Sequence, residues 1–357
     1  MTGESDHIVA EVAARIFADL ADPQTINRAK DGAKDGTKDG TWKVPLWRAL
    51  TEAGLPLAWV PDNLGGSGAS LADGFSVLGA AGRFVVAVPL AETLIAGWLL
   101  ARAGLQAPPG AMTVAPARSL DRITLGKDGT LSGRALGIPF ATDTQHIAVL
   151  ADDTVALVAT KDCRLDDGRT PAGDASNVVT FERVKPLRSA PAPKGLDRTS
   201  LMLMGAAVRS VQTAGALETI LSLSVAYANG RVAFERPIGK FQAVQQNLAR
   251  LAGEVAAALA VSGSAADTIA QGDDDALFLE AASAKIRCAE AATEGAAIAH
   301  QVFGAIGFTN EHILHRFTLR MLAWRDDFGN ESWWAAELGK HVAKRGADEF
   351  WPLVASR

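Results

Sequence analysis

The stretch RVAFERPIGKFQ, residues 231–242, sets a guanidinium and a side-chain amide around a turn between two alanine-rich helical runs. Arg231 begins the stretch, Gln242 ends it, and Pro237 and Gly239 mark the turn. A guanidinium binds phosphate oxygens through several donors at once, and Gln adds a neutral donor. The segment therefore predicts either a plain connection between two helices or a site that holds an anion.

A second candidate for anion binding follows later in the helical region, in the stretch QVFGAIGF. Gln301 supplies another amide, and Gly304 and Gly307 would let backbone N–H groups come close to an anion. The same glycines also suit an ordinary turn. By itself this stretch leaves both interpretations open.

Carboxylates that could act as a general base are weak candidates. Asp326 and Asp327 lie in the stretch RDDFGNESWW and are equally the solvated acidic end of a helix. The catalytic base is therefore unknown from the sequence.

The histidines and cysteines do not predict a metal site. His312 and His315 stand three residues apart in EHILH, but the order differs from the His-Glu-x-x-His zinc motif. Cys163 and Cys288 are too few for a disulfide framework or a cysteine-based metal site, and they fit a reducing compartment. We expect packing roles for both cysteines and no bound metal.

Composition narrows the class of protein further. The chain has 357 residues, of which 48% are hydrophobic and 21% charged, as in ordinary globular proteins. Its formal net charge of −5 argues against a nucleic-acid partner. We identify no apolar run of the roughly 20 residues that a membrane span needs, and the first residues do not resemble a signal peptide. We expect a cytoplasmic protein without a membrane span.

The spacing and the types of apolar residues change along the chain. Residues 1–110 show helical spacing of apolar residues, and residues 111–190 show short β-branched runs separated by Asp-Gly and Asp-Asp turns. Residues 191–357 return to long alanine-rich helical runs. This pattern predicts an α+β chain with an N-terminal helical domain, a small antiparallel β domain in the middle and a C-terminal four-helix bundle.

An unusual insertion in the first region repeats Lys-Asp-Gly three times. Asp31, Asp35 and Asp39 do not have the spacing of a calcium loop, and each follows a Lys. We interpret the insertion as a solvated loop.

The order of these regions and two motifs resemble the acyl-CoA dehydrogenase family over nearly the whole chain. The first family motif, Arg-x-x-Phe-Gly-x-Pro-Ile-x-x-Phe-Gln, is matched by Arg231, Phe234, Pro237, Ile238, Phe241 and Gln242. The second, Gln-x-x-Gly-Gly-x-Gly-Phe, is matched by Gln301, Gly304, Gly307 and Phe308. The stretch VPLAETLIAGWLLARAG is similar to the version found in shorter, often heteromeric members.

The resemblance implies a cofactor, a reaction and partners. In the family, residues of these two motifs reach across a subunit interface to the pyrophosphate of a neighbour's FAD, which makes Arg231, Phe234, Gln242, Gln301, Gly304 and Gly307 the implied cofactor-binding residues. The implied reaction is the α,β-desaturation of an acyl-CoA thioester, with electrons passing to an electron-transferring flavoprotein. The implied assembly is a homo-oligomer or a hetero-oligomer with a related dehydrogenase subunit.

The sequence also departs from the family pattern. Glu235 and Ala305 replace motif glycines. The family's flavin-binding segments correspond to MTVAPARSLDR and GRALGIPFATD, which have neither the Glu-Pro pair nor the Trp. Of the two usual positions of the catalytic Glu, one holds Phe328 and the other lies near Gly205.

Two functional hypotheses remain open. In the first, the chain is a working FAD-dependent acyl-CoA dehydrogenase or a subunit of one, and the shorter members it resembles include enzymes that act on lipid or steroid acyl-CoA thioesters. In the second, it is a non-catalytic companion subunit that completes the FAD site of a related catalytic subunit.

Overall fold

The computed structural model describes residues 3–32, 43–272 and 274–355. Its first part is helical, with α1 Gly3–Leu20, α2 Pro23–Gly32, α3 Lys43–Glu52, α4 Leu71–Arg83 and α5 Leu90–Arg102. Every residue of α5 from Leu90 to Leu100 is buried, because the helix is apolar on nearly all sides. The first Lys-Asp-Gly repeat lies at the end of α2, and the rest of the predicted solvated loop lies outside the described residues.

The middle of the chain forms two four-stranded sheets. One has the order β1-β4-β5-β8 and the other β2-β3-β7-β6. The strands are β1 Met112–Ala115, β2 Arg122–Leu125, β3 Leu131–Pro139, β4 His146–Ala151, β5 Thr154–Ala159, β6 Arg164–Asp166, β7 Ser176–Val184 and β8 Arg188–Pro191. All the residues of β4 after His146 are buried, as are those of β5 after Thr154, so these two strands form the centre of the first sheet.

One strand pair corrects the prediction of an antiparallel domain. β1 runs parallel to β4, with Met112 opposite His146 and Ala115 opposite Val149. Parallel neighbours need a long connection, and here β2 and β3 of the other sheet lie between β1 and β4 in the chain. The short Asp-Gly and Asp-Asp turns correctly indicated hairpins, but they could not reveal a pairing made through the second sheet.

Long helices return after the strands. They are α6 Arg198–Gly230, α7 Gln242–Gln271, α8 Asp274–Phe303, α9 Leu314–Asp326, α10 Glu331–Arg345 and α11 Phe350–Ala355, with a short hairpin of β9 Val232–Ala233 and β10 Arg236–Pro237 between α6 and α7. The side chain of Asp197 accepts a hydrogen bond from the backbone N–H of Ser200 and so caps α6. Helices α6, α7 and α8 pack mutually, and α9 and α10 pack on α8, which confirms the predicted bundle and the α+β fold class.

Helix α7 is long and apolar in composition. An 18-residue window within it has a mean hydropathy of 1.2, enough by length and composition for a membrane-spanning helix, and 28% of the window is buried. Leu251, Val255 and Ala258 lie on its buried side, against the other helices of the bundle. A single helix of this kind is weak evidence for a membrane segment.

Glycines allow α4 and α6 to cross in backbone contact. A Cβ atom at Gly215 would lie 2.4 Å from the carbonyl oxygen of Gly79, and one at Gly82 would lie 2.2 Å from the carbonyl oxygen of Gln212. Real Cβ atoms do not approach so closely, so even a methyl group would force the helices apart. This crossing joins the N-terminal helices to the bundle.

Gly215→Ala should therefore lower the free energy of unfolding by about 1–3 kcal/mol, because the added methyl overpacks a backbone contact. Gly253→Ala is the matched control: Gly253 is exposed within α7 and a Cβ there meets nothing within 4 Å. That change should raise the free energy of unfolding by about 0.5–1 kcal/mol, since Ala favours the helix over Gly. Guanidinium chloride denaturation measures both, and equal effects of the two changes would contradict the crossing.

Candidate functional site

The two predicted anion-binding motifs meet at one end of the bundle. Helices α6 and α8 both end there, and the Tyr227 ring of α6 stacks on the Phe303 ring of α8 with centroids 4.3 Å apart. The first motif follows directly after α6, and the second begins at Gln301 in the last turn of α8 and continues past its end. The fold thus brings together side chains that are far apart in the sequence.

The first motif forms a tight hairpin. Its turn residues Phe234 and Glu235 have φ values of 52° and 66°, in the left-handed region that favours glycine. The backbone N–H of Ile238 donates to the carbonyl oxygen of Arg231 at 2.8 Å, which closes the hairpin. Arg231 and Gln242 are both exposed at its base, and the Phe234 side chain is 89% exposed at its tip.

The second motif forms a 3₁₀ turn over Gly304–Phe308. Gln301 is exposed and lines an open groove of about 430 Å³ together with His300 and Phe308, whose rings stack with centroids 4.2 Å apart. Gly304 is exposed with a φ of 63°, whereas Gly307 is buried, and a Cβ there would lie 3.1 Å from a ring nitrogen of His300. Close packing therefore accounts for Gly307, and its contact with a cofactor stays a prediction.

This end of the bundle fits the diphosphate of a dinucleotide. Arg231 offers a planar fork of donors, and Gln242 and Gln301 offer amide donors. All three are exposed, so a group outside this chain can reach them. Exposed Glu235 adds one negative charge at the hairpin tip, beyond Arg231 and Gln242 at the base.

The two segments that correspond to the family's flavin bed also lie side by side, but they leave little room. A Cβ at Gly137 would lie 2.8 Å from the guanidinium of Arg118, so Arg118 occupies the space above β3 that a larger side chain at residue 137 would need. The loop that carries Arg118 is held by Arg198, which donates to the carbonyl oxygens of Ser119 and Asp121. In this arrangement the Arg118 guanidinium lies against β3 at Gly137.

The two usual positions of the catalytic Glu are in direct contact. A Cβ at Gly205 would lie 2.2 Å from the ring of Phe328, which is fully buried. Phe328 has a φ of 54°, and its carbonyl oxygen accepts a hydrogen bond from the indole N–H of Trp334 at 2.9 Å. Apolar packing therefore fills the place where a catalytic carboxylate is expected.

The candidate base Asp327 is instead committed to an ion pair. The Arg209 guanidinium donates to its carboxylate from Nε at 3.0 Å and also pairs through Nη2 at 2.9 Å. Burial raises the pKa of the Asp327 carboxyl, against the opposing attraction of Arg209 and Lys285. The other candidate, Asp326, has a side chain 61% exposed and lies 3.6 Å from the Arg325 guanidinium. Neither is a free carboxylate facing a closed pocket.

Arg209 is the centre of a larger buried charge cluster. It also pairs with Glu92 of α5, and its Nη1 donates to Gln212 at 2.6 Å. Arg209 and Glu92 are 2% and 1% exposed, and burial raises the pKa of the Glu92 carboxyl, opposed chiefly by Arg209. Lys285 of α8 is buried nearby, and its Nζ donates to the carbonyl oxygen of Trp324 at the end of α9 at 2.6 Å.

Sequence reasoning missed this cluster, although a signal was present. Glu92 is a lone charge in the apolar run LAETLIAGWLL, Arg209 follows LMLMGAAV, and Lys285 follows AASA. A charge within such a run is buried only when it is paired. Which helices supply the partners cannot be read from the sequence.

A cavity of about 390 Å³ lies where α5 and α7 end and α6 and α8 begin. Its apolar lining includes Trp98, Leu203, Met204 and Phe278. Two exposed cations, Arg102 and Lys194, also line it. The cavity can therefore take a ligand that combines an apolar portion with anionic groups.

The histidines are used in local structure. The His312 ring accepts a hydrogen bond from the backbone N–H of Leu314 at 3.1 Å, and the His315 ring lies 2.7 Å from the carbonyl oxygen of His312. Over residues 3–32, 43–272 and 274–355 there is no group of three or more His, Cys, Asp or Glu placed to hold a metal ion.

Comparisons with known proteins identify the class. Residues 194–331 match the family model for the acyl-CoA dehydrogenase C-terminal domain. The chain is 29% identical to acyl-CoA dehydrogenase IpdE2 of Mycobacterium tuberculosis over 318 residues, covering 89% of this chain and 91% of the relative.

Solved structures give the same result for the fold. A structure described as the Tcur3481-Tcur3483 steroid ACAD G363A variant matches with a TM-score of 0.84 at 26% identity, covering 97% of this chain and 100% of the other. The ChsE4-ChsE5 complex from Mycobacterium tuberculosis matches with a TM-score of 0.83 at 24% identity, covering 96% and 98%.

The fold and the two motifs that meet at one end of its bundle are those of the acyl-CoA dehydrogenases, which are oxidoreductases acting on CH–CH groups. Residues 194–331 thus carry the acyl-CoA dehydrogenase C-terminal domain, and the chain is similar to acyl-CoA dehydrogenases over most of its length, as its sequence predicted, including subunits of the heteromeric members.

The buried cluster predicts an unusual pH dependence of stability. Burial lowers the pKa of Lys285 from 10.5 to about 7. Between these values the unfolded chain holds a proton that the folded chain has released, so the free energy of unfolding should rise with pH, at most by about 1.4 kcal/mol per pH unit. Lys285→Met should remove this rise.

Denaturation of both proteins between about pH 7.5 and 9.5 measures the effect. The difference between them isolates Lys285, because Cys163 and Cys288, whose pKa values burial raises to about 12, are present in both. Lys340→Met is the control, since Lys340 is 66% exposed and pairs with Glu337 on the surface of α10. Parallel pH profiles for Lys285→Met and the wild-type chain would refute the prediction.

Proposed function

We propose that the chain is a subunit of an FAD-dependent acyl-CoA dehydrogenase that desaturates an acyl-CoA thioester between its α and β carbons and passes the electrons to an electron-transferring flavoprotein. The observation that carries the proposal is the convergence of Arg231, Gln242 and Gln301, all exposed, at one end of the bundle. These donors suit the diphosphate of FAD, which, when bound, supplies the acceptor for the substrate hydride.

Because the three side chains point outward from the bundle end, they serve FAD shared with a second subunit. The hairpin supports this view, since Phe234 at its tip is 89% exposed and Val232 nearer its base is 58% exposed. Large apolar side chains exposed along such a hairpin suit contact with another chain. A hetero-oligomer is the assembly we favour, and two relatives in the comparisons are described as complexes or pairs of two named components.

The cavity at the start of α6 is the proposed entrance for the acyl-CoA. Arg102 and Lys194 suit the phosphates of coenzyme A, and Trp98, Leu203 and Phe278 suit its pantetheine chain. One of the similar structures is described as a steroid ACAD, which favours a thioester of a lipid or steroid acyl group. A cytoplasmic location fits such a substrate.

A second candidate function rests on one observation. Phe328 and Gly205 fill the two usual places of the catalytic Glu, and Asp327 is paired with Arg209. A non-catalytic companion that completes the FAD site of a related subunit would need no base of its own. The relatives themselves do not favour this candidate.

Flavin content tests the proposal and separates the two candidates. The chain is purified alone and after co-expression with a related dehydrogenase subunit, and the visible flavin spectrum and acyl-CoA turnover are recorded. We expect FAD and turnover in the co-expressed assembly. Stoichiometric FAD with turnover in the lone chain would exclude the companion role, and an assembly that forms without FAD would contradict the proposal.

Arg231→Ala should lower FAD retention in the assembly by about 10-fold or more, because a charge-assisted contact with a diphosphate is worth about 1.5–3 kcal/mol. Helical content should stay unchanged, since the Arg231 side chain lies after the end of α6. Arg250→Ala is the control: Arg250 is exposed on α7, where it pairs with Glu294. Equal flavin retention in the Arg231 and Arg250 variants would refute the diphosphate assignment.

A further inference from the structure

Two residues that line the cavity of about 390 Å³ lie next to residues that contact Phe328. Met204 of α6 lines the cavity and directly precedes Gly205, against which the Phe328 ring packs. On the other side, Phe278 lines the cavity and lies 6.1 Å, centroid to centroid, from Trp334. The Trp334 indole in turn donates to the carbonyl oxygen of Phe328. Phe328 therefore lies directly behind the cavity lining: its ring is next to Met204 through Gly205, and its carbonyl group is linked to Phe278 through Trp334.

Phe328 is held in this place against the preference of its backbone. A φ of 54° is a left-handed conformation that costs a non-glycine residue free energy, and Gly329 beside it also has a positive φ, of 91°. Such a conformation persists only where the surroundings fix it. Here the Asp327–Arg209 pair fixes the preceding residue, and Trp334 fixes the carbonyl group.

Gly205 supplies the matching space. Gly205 has no Cβ, and a Cβ there would lie only 2.2 Å from the Phe328 ring. The ring thus fills the space beside Gly205, one residue beyond Met204 of the cavity lining. One turn further along α6, the buried pair of Arg209 and Glu92 closes the interior.

The geometry points to Phe328 as the residue that sets the depth of the cavity: its ring keeps the acyl group of a CoA thioester out of the space beside Gly205, so this chain binds coenzyme A and its thioesters through the coenzyme portion alone. The inference rests on the proposed role of the cavity as the acyl-CoA entrance. It names the portion of the substrate that this chain recognises, and it assigns a bulky acyl group to space outside this chain's interior.

The test compares the binding of coenzyme A, butyryl-CoA and octanoyl-CoA to the full-length chain by isothermal titration calorimetry. For the wild-type chain the three dissociation constants should agree within about three-fold, because no apolar surface in the chain receives the acyl group. In Phe328→Gly, affinity should increase with acyl length, since each methylene buried in the vacated space is worth up to about four-fold. Glycine suits the left-handed backbone at this residue, so the change removes the ring without adding strain.

Two further variants keep the test decisive. Phe328→Leu retains a buried apolar side chain and should give a smaller dependence on acyl length, so it replaces the glycine variant if that protein does not fold. Phe317→Ala is the matched control, because it removes another fully buried ring, from α9, and should leave the three constants as similar as in the wild-type chain.

The outcomes separate this inference from the proposed function. Wild-type affinity that already rises steeply with acyl length, or Phe328 variants with no such dependence, would overturn the role of Phe328. Absence of binding by all three compounds to every variant would overturn the assignment of the cavity as well. The proposed FAD-dependent assembly is judged independently, by its flavin content.

Discussion

The ion pairs of Arg209 connect three parts of the chain that are distant in sequence. Arg209 lies on α6, Glu92 on the buried helix α5, and Asp327 in the connection between α9 and α10. Breaking such a pair by removing one partner typically costs about 3–5 kcal/mol, because a buried charge is left uncompensated. One guanidinium therefore helps to fix the relative positions of the N-terminal helices, the bundle and the loop that carries Phe328, together with the crossing of α4 and α6.

The buried side chains around Arg209 form a balanced set of charges in an otherwise apolar interior. Glu92 and Asp327 supply two negative charges, and Arg209 and Lys285 supply two positive ones, so the cluster is neutral in total when all four are ionised. Lys285 adds a structural role, since its amine donates to the carbonyl oxygen of Trp324 in the last turn of α9, three residues before Asp327. The loop is thus held from α6 through a carboxylate and from α8 through a carbonyl oxygen. Together these contacts leave a hydrophobic ring, Phe328, as the group that faces Gly205.

The sequence predicted the architecture well because its signals are local. The order of helices, strands and helices in the structure was indicated by the spacing of apolar residues and by the Asp-Gly turns. The residue types that favour strands begin near residue 110 and end near residue 190. The exception, the parallel pair of β1 and β4, depends on a contact across the domain that turn chemistry does not encode. The domain boundaries themselves stay predictions.

The site was predicted less completely, because its geometry depends on contacts between residues that are distant in the sequence. The motifs of Arg231 and Gln301 could be found because each is a short run of residue types suited to an anion, and the fold then placed them at one end of the bundle. Gly307 looked equivalent to Gly304 in the sequence, yet one is buried and the other exposed. The absence of a Glu at Phe328 and Gly205 was visible in the sequence, but the mutual packing of these two residues was not.

The end of the bundle and the interior beside Gly205 differ in how open they are. The end of the bundle that carries Arg231 and Gln242 is open, polar and closed by no other part of the described chain, whereas the interior beside Gly205 is filled and fixed by buried charges. A flavin site needs both a grip on the diphosphate and space for reacting carbons. This chain carries exposed donors suited to the first and fills the space beside Gly205 with packing, which agrees with the proposal that a second subunit completes the site. The strained backbone at Phe328 shows that the packing is maintained at a cost, as is common where structure serves function.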